Sequence, residues 1–301
     1  MKTSNEQILV VGATGYLGME ICRQLKAQGK DVTGLVRKTS AAETVNALRQ
    51  WGVDLAVGDL KDKGSIANAL KGKTTVITTA TTTRSRQDGD SIQTVDKDGQ
   101  GSLVDEAIAA GVKQYIFISI PFGPTDYPLQ VAKRNAEDKI KKSNMIYTII
   151  KPSYFIEGWL SPALGFDFPS AKANIYGEGK NPISWISIGD VAAFTVNVLN
   201  NPATRNLTVD IGGPEALSPL EVVAIFEQTN GRTFQLQHVP VAALQGQLDA
   251  AQDDLSKSFA SLMLMYAGGH KVNTADMQKV FPSKLTSVKD YAKRVSQMQT
   301  A

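Results

Sequence analysis

The chain contains 301 residues, 42% of them apolar and 20% charged, with a net charge of +3. That balance excludes a fibrous or mostly disordered chain, and so small a basic excess argues against a nucleic-acid partner. The lone cysteine, Cys22, precludes an internal disulfide, and no run reaches the roughly 18 apolar residues of a membrane span, so a cytoplasmic protein with no membrane partner is expected.

Taken in chain order, the first half alternates short apolar runs with amphipathic stretches. Ile8–Val11 reads as a strand buried on both faces, and Tyr16–Gln28 as a helix with Leu17, Ile21 and Leu25 on one side, ended by Gly29. Strand-like Val32–Val36, Asp54–Val57, Val76–Thr79, Tyr115–Ser119 and Tyr147–Ile150 follow. Between them lie helix-like Ala42–Trp51, Ser65–Leu70, Leu103–Ala110 and Val131–Lys142. Strict alternation with short connections predicts an α/β fold with a doubly wound parallel sheet of the Rossmann type. Ligands of such sheets bind beyond the carboxyl ends of the strands. The loops after Val11, Val36, Val57, Thr79, Ser119 and Ile150 therefore share one rim.

Beyond about residue 152 the pattern is irregular and punctuated by prolines. Gly189–Leu199, Pro219–Thr229, a long stretch from about Val241 to Tyr266, and Asp290–Met298 read as helices. Phe259–Tyr266 is apolar nearly all round, so burial throughout is expected. The division expected is a nucleotide-binding core over 1–152 and a smaller, mixed substrate lobe over 153–301, with about 189–211 returning to the core.

The strongest chemical signal is Gly12-Ala13-Thr14-Gly15-Tyr16-Leu17-Gly18, which follows a strand and opens a helix. Gly12 permits the tight turn, Gly15 lets the backbone approach a pyrophosphate, and Gly18 lets the helix pack closely on the strand. The helix N-terminus offers a positive dipole to the phosphates. Arg37 ends the second strand, where an acidic residue would hold a ribose 2′-hydroxyl and an arginine suits a 2′-phosphate; Lys38 adds charge. Asp59-Leu60 ends the third strand, with a carboxylate placed for an adenine amino group. NADP(H) is the cofactor this pattern favours. The threonine-rich run from Thr78 to Thr83 ends the fourth strand, and Thr79 and Ala80 are candidates to line the cofactor. Arg84 and Arg86, with Asp88 and Asp90 near, lie in the loop after it, which either closes over the phosphates or, as the pattern favours, stays solvated.

Leu35-Val36-Arg37, Gly58-Asp59-Leu60, Ala110-Gly111-Val112-Lys113, Tyr147–Pro152, Ile188–Ala192 and Gly212–Glu215 join the glycine motif in a larger pattern. Together they resemble the NmrA-like branch of the atypical short-chain dehydrogenase/reductases, over about residues 7–240. The resemblance implies a reductase and places Lys133 where that superfamily keeps a lysine on the nicotinamide ribose. It also places Pro152 beside the cofactor. Four residues before Lys133 the usual catalytic tyrosine is replaced by Leu129, which carries no proton. Lys133 itself, or Tyr127, is then the candidate acid.

Phe122, Tyr154, Phe155 and Trp159 follow strands that end at the rim and suit a small apolar acceptor such as a quinone, enone or carbonyl. Two readings stay open. One is NADPH-dependent reduction of that acceptor by hydride transfer. The other is a non-catalytic NADP(H)-binding sensor that acts through a protein partner, a role the branch also contains. No metal site is expected, since His238 and His270 have no ligand-like spacing. The sequence does not specify an oligomer.

Overall fold

The computed structural model describes residues 6–83 and 86–300. Its strands are β1 (Gln7–Val11), β2 (Asp31–Val36), β3 (Asp54–Val57), β4 (Thr75–Thr78), β5 (Gln114–Ile118), β6 (Ile146–Pro152), β7 (Phe166–Asp167), β8 (Lys172–Tyr176), β9 (Leu207–Ile211) and β10 (Gln235–Val239). The main sheet has seven strands in the order β3-β2-β1-β4-β5-β6-β9. Its first six strands pair in parallel. This is the dinucleotide-fold order, with the switch at β1/β4.

The chain divides into two compact units. One takes in the chain up to Phe122, with Pro128–Lys151 and Ala192–Val209. Here Ile8, Leu9 and Val10 are fully buried, because helices cover both faces of the central strand. The helix α1 (Tyr16–Ala27) turns Gly18, Ile21, Cys22 and Leu25 inward, a spacing of three to four residues that makes one stripe. Three more helices of this unit are α2 (Ala42–Gln50), α3 (Lys63–Ala69) and α4 (Gln100–Ala109). The helix α5 (Pro128–Lys141) buries Leu129, Lys133, Glu137 and Ile140, so one inward stripe carries two charged residues among the apolar ones. Val76, Leu103, Phe117 and Ile149 belong to the apolar cluster around the sheet.

One element of this unit has no counterpart in the sequence reading. Ahead of α4 the chain is already wound, as a π-helix over Ile92–Gly99. Ser91 opens it with a reciprocal capping box to Thr94. Ile92, Val95, Asp96 and Gly99 are its buried residues. The helix expected from Leu103 thus begins about ten residues earlier. Its first turns are hard to read in sequence because Ile-Gln-Thr-Val-Asp-Lys-Asp-Gly holds only two large apolar residues, Ile92 and Val95.

The other unit comprises Gly123–Tyr127, Pro152–Val191 and the chain from Asp210 onward. A three-stranded sheet, β10-β8-β7, carries an apolar core that includes Phe166, Trp185 and Phe226. The single helix expected over 241–266 is two helices, Val241–Ala250 and Asp254–Gly268. Asp253 breaks them apart, because its side chain accepts from the amides of Leu255 and Ser256, each at 2.9 Å, and so caps the second helix. Burial of Phe259–Tyr266 is also one-sided. Met263 packs with Leu244, whereas Phe259 stays 50% exposed, since a partner helix covers only one face. The strand β10, Gln-Leu-Gln-His-Val, is mostly polar and mostly exposed, so its sequence carries no buried-strand pattern.

No helix among the described residues is long and apolar enough to cross a membrane.

Candidate functional site

At the carboxyl edge of the parallel strands, the glycine loop joins β1 to α1. Gly12 has φ +84°, and a Cβ there would lie 2.6 Å from Thr79 Oγ1 and 2.9 Å from the Ala80 amide nitrogen. Gly18 is more constrained, with a Cβ meeting the Gly12 carbonyl oxygen at 2.1 Å. Gly15 differs, because among the described residues the only neighbour of a Cβ there within 4 Å is the Gly12 oxygen at 3.3 Å. Among the described residues nothing else approaches its outward side and no side chain caps the N-terminus of α1, and Tyr16 beside it is 57% exposed. First-turn acidic residues are absent as well. The arrangement suits an anion that needs close backbone approach, as a dinucleotide pyrophosphate does. Thr14 and Leu17 are half-buried in the same turn.

Thr79 faces this loop. Its amide donates to the Val11 carbonyl at 2.9 Å, and its hydroxyl lies 3.3 Å from the Gly12 carbonyl oxygen. Two other threonines of the run turn inward, Thr78 to pair with Gln100 and Thr82 to bond Asp96, whereas Thr83 is exposed. Ala80 presents its carbonyl to the Gln100 amide group at 2.9 Å.

Arg37 lies just past β2, and its guanidinium is not a loose cation. It donates to Asp90 Oδ2 at 2.6 Å, while Lys61 bonds the other oxygen of the same carboxylate. The Asp90 side chain is 1% exposed, which corrects the reading of a solvated loop: a carboxylate facing two cations is drawn in rather than left in water. Burial opposes its ionisation, yet Lys61, the Gln87 amide and Arg37 hold the carboxyl below its usual range. Arg86 is exposed, and Arg84 lies outside the described residues. Lys38 is exposed. Asp59 Oδ1 accepts from the Lys61 amide at 2.8 Å, a turn-forming bond that leaves Oδ2 at 3.7 Å from Lys61 Nζ. Leu60 is buried beside it in the core.

Lys133 is 2% exposed. Its Nζ lies 3.5 Å from Asp96 Oδ1 and 3.5 Å from the Ala80 carbonyl oxygen, and 5.1 Å from the centre of the Phe117 ring. Asp96, wholly buried, is fixed in turn by the Thr82 amide at 3.0 Å and hydroxyl at 2.6 Å. Burial pushes the Lys133 ammonium below its usual range, against the opposing charges of Asp96 and Glu137. Leu129, one turn before it on the same stripe, is 1% exposed.

A second buried charge group stands on α5. Glu137 Oε1 accepts from Ser119 Oγ at 2.6 Å and lies 3.3 Å from Lys151 Nζ. Lys151 sits 3.5 Å above the centre of the Phe122 ring, with Arg134 5.3 Å from it. Phe122 is thus a cation-binding face rather than a purely apolar wall. The sequence reading assigns no role to Asp96, Glu137, Lys151 or Lys61. Each acquires one only through a partner distant in the chain.

The remaining predicted residues belong to the second unit. Tyr127, 4% exposed, has a buried hydroxyl with no protein hydrogen-bond partner among the described residues, and burial raises its pKa. Tyr154 stands edge-on to Trp159, ring centres 4.7 Å apart, and its hydroxyl is likewise unpaired. Trp159 stacks on Tyr266 at 4.8 Å. Phe155 is half-buried, and Pro152 ends β6.

The sheet order and the glycine loop define a Rossmann-type nucleotide-binding fold. The chain matches the NmrA-like family over residues 4–292, and it belongs to that family. It is 29% identical over 299 residues to the photosystem II assembly factor Ycf39 of Trieres chinensis, covering 94% of this chain and 91% of that one. It is 32% identical over 232 residues to an NAD(P)H azoreductase of Xenophilus azovorans, covering 75% and 74%. The fold is shared with the Escherichia coli NADPH-dependent quinone oxidoreductase crystallised with NADPH, at a TM-score of 0.77 and 18% identity over 96% of this chain and 100% of that one.

Proposed function

We propose that this protein is an NADPH-dependent reductase of a small, largely apolar acceptor of the quinone or azo class. The observation that carries the reading is Lys133: a buried lysine at the carboxyl edge of the sheet, held between Asp96 and the Ala80 carbonyl, on the same rim as an uncapped glycine loop. A structural lysine gains nothing from such burial, because taking an ammonium out of water costs several kcal/mol, of order of magnitude. Reductases among the relatives and the shared fold of the quinone oxidoreductase support the same assignment.

NADPH, when bound, supplies the hydride. Gly12, Thr14, Gly15, Tyr16, Leu17 and Gly18 hold its pyrophosphate through backbone amides. Arg37 and Lys38 receive the 2′-phosphate, and Asp59 and Leu60 the adenine. Thr79 and Ala80 would flank the nicotinamide end and Lys133 would hold its ribose, with Pro152 a further candidate to meet the cofactor. Tyr154, Phe155 and Trp159, and in the other unit Phe122, are the candidates to meet the acceptor. Of the two candidate acids, Lys133 is the better placed. An acid works best with a pKa near the working pH. Burial moves Lys133 toward that range and moves Tyr127 away from it.

The second reading is a nucleotide-binding assembly or regulatory factor. It is favoured by Leu129 at the tyrosine position and by the Ycf39 relatedness over most of both chains. The deciding experiment titrates NADPH and NADP⁺ binding and follows NADPH oxidation with quinones, azo dyes and enones. Saturable oxidation with one class supports the reductase. Tight binding without oxidation by any acceptor supports the factor, and absence of binding removes both.

A further inference from the structure

We propose that Lys61 joins Arg37 as a second cation for the ribose 2′-phosphate, and that Asp90 is the positioning residue that holds the pair in place. The inference rests on the nucleotide-binding reading above but assigns residues which that reading does not use.

The strands place the two cations side by side. β2 and β3 run parallel with Val36 opposite Val57, and the Gly58 amide donates to the Val36 carbonyl at 2.9 Å. Arg37 and Lys61 leave that paired edge as neighbours. Two cations so placed repel each other unless an anion lies between them. Asp90 supplies it from the segment that follows β4. Oδ2 takes Arg37 at 2.6 Å and the Gln87 amide at 2.9 Å, while Oδ1 takes Lys61. The Lys61 ammonium also lies 3.4 Å from the Asp88 carbonyl oxygen and 3.7 Å from Asp59.

Exposure separates the roles. The Asp90 side chain is 1% exposed, whereas Arg37 and Lys61 are 25% and 27% exposed. The anion is hidden behind the cations, and the cations keep a face toward solvent. The bond from Arg37 to Asp90 uses one terminal nitrogen, so the planar guanidinium retains donors for a phosphate oxygen. A phosphomonoester carries close to two negative charges near pH 7, whereas a ribose hydroxyl carries none. Cations fixed before binding lose little freedom when it arrives.

The test is equilibrium binding of NADPH and NADH to the whole protein, its Lys61→Met and Asp90→Asn variants, and adenosine 2′,5′-bisphosphate against AMP as competitors. Lys61→Met is expected to weaken NADPH and the bisphosphate about tenfold and to leave NADH and AMP unchanged. Asp90→Asn is expected to lose NADPH preference in the same direction, by releasing both cations, and to flatten its salt dependence. An unchanged NADPH/NADH ratio in Lys61→Met overturns the assignment of Lys61. Tighter NADPH binding by Asp90→Asn overturns that of Asp90, since the carboxylate would then compete with the phosphate. If Asp90→Asn does not fold, Asp90→Glu is read in its place: it keeps the charge but displaces it, and an unaltered ratio overturns the positioning role. Failure of the wild-type protein to bind either dinucleotide would defeat the nucleotide reading itself. A wild-type preference retained in Lys61→Met defeats only this inference.

Discussion

Lys133 Nζ stands 3.5 Å from Asp96 Oδ1, with the two side chains 3% and 0% exposed. The separation is inside ion-pair range and long for a hydrogen bond. Asp96 spends its other oxygen on Thr82, so the pair is a fixed anion beside a lysine that retains donors for something else. A lysine whose proton is needed in the transition state should fail on loss of its amine, not on loss of its bulk. Lys133→Met is expected to lower kcat by about 100-fold or more while changing the NADPH dissociation constant much less. Stopped-flow NADPH oxidation with binding measured in parallel checks this, and a kcat within a factor of two of wild type would remove Lys133 from the chemistry.

The same helix makes a stability prediction. Glu137, with its side chain 2% exposed, faces Lys151 at 3.3 Å, Lys141 at 3.4 Å and the Ser119 hydroxyl at 2.6 Å. Neutralising it leaves the buried Lys151 without its counter-charge. Losing one partner of a buried pair costs more than the pair contributes over apolar substitutes. Glu137→Gln should therefore destabilise the fold by about 2–4 kcal/mol, read as a lower urea midpoint at an unchanged slope. An unaltered midpoint would mean that Lys151 is adequately held by the Phe122 ring alone.

Legibility followed chain distance. The glycine turn and the strand order are legible because each depends on neighbours a few residues away and on local period. The Arg37–Asp90 bond spans 53 residues, and nothing near Asp90 in sequence distinguishes it from a solvated aspartate. Asp96 was hidden differently. It sits on a π-helix with only two large apolar residues, Ile92 and Val95, and an aspartate in such a polar stretch reads as solvent-facing. Lys133 was read through resemblance, and only the structure shows that it is buried and which anion faces it. The break at Asp253 is the opposite case: its capping signal was present, but the longer apolar pattern overrode it.

The charge group around Asp90 has a pH dependence with a fixed sign. Its carboxyl titrates lower in the folded chain than in the unfolded one, where about 3.9 applies. The stabilisation is therefore fully present above about pH 5 and lost as pH falls through the folded value. Wild type should exceed Asp90→Asn by about 1–2 kcal/mol at pH 7, a figure reduced for the partial exposure of Arg37 and Lys61. The gap should close toward pH 3. Urea midpoints of both proteins at pH 7, 5 and 3.5 test the sign, and a gap that widens in acid would contradict it.

Cys22 provides a probe of the nucleotide loop that needs no turnover. It is fully buried on the inner stripe of α1, and burial pushes its thiol up to about 12. A thiol reagent at pH 8 should leave the folded protein unlabelled and modify the urea-unfolded chain rapidly. Labelling then proceeds through opening of α1, the helix whose N-terminus the glycine loop forms. A ligand bound there stabilises the closed form by RT ln(1 + [L]/Kd). At 100 Kd of NADPH the labelling rate should fall about 100-fold, a factor set by that expression. A rate that NADPH leaves unchanged, although NADPH is shown to bind, would mean that Cys22 opens without disturbing the loop. The coupling between the glycine turn and α1, which rests on the Gly18 contact with the Gly12 carbonyl, would then be wrong.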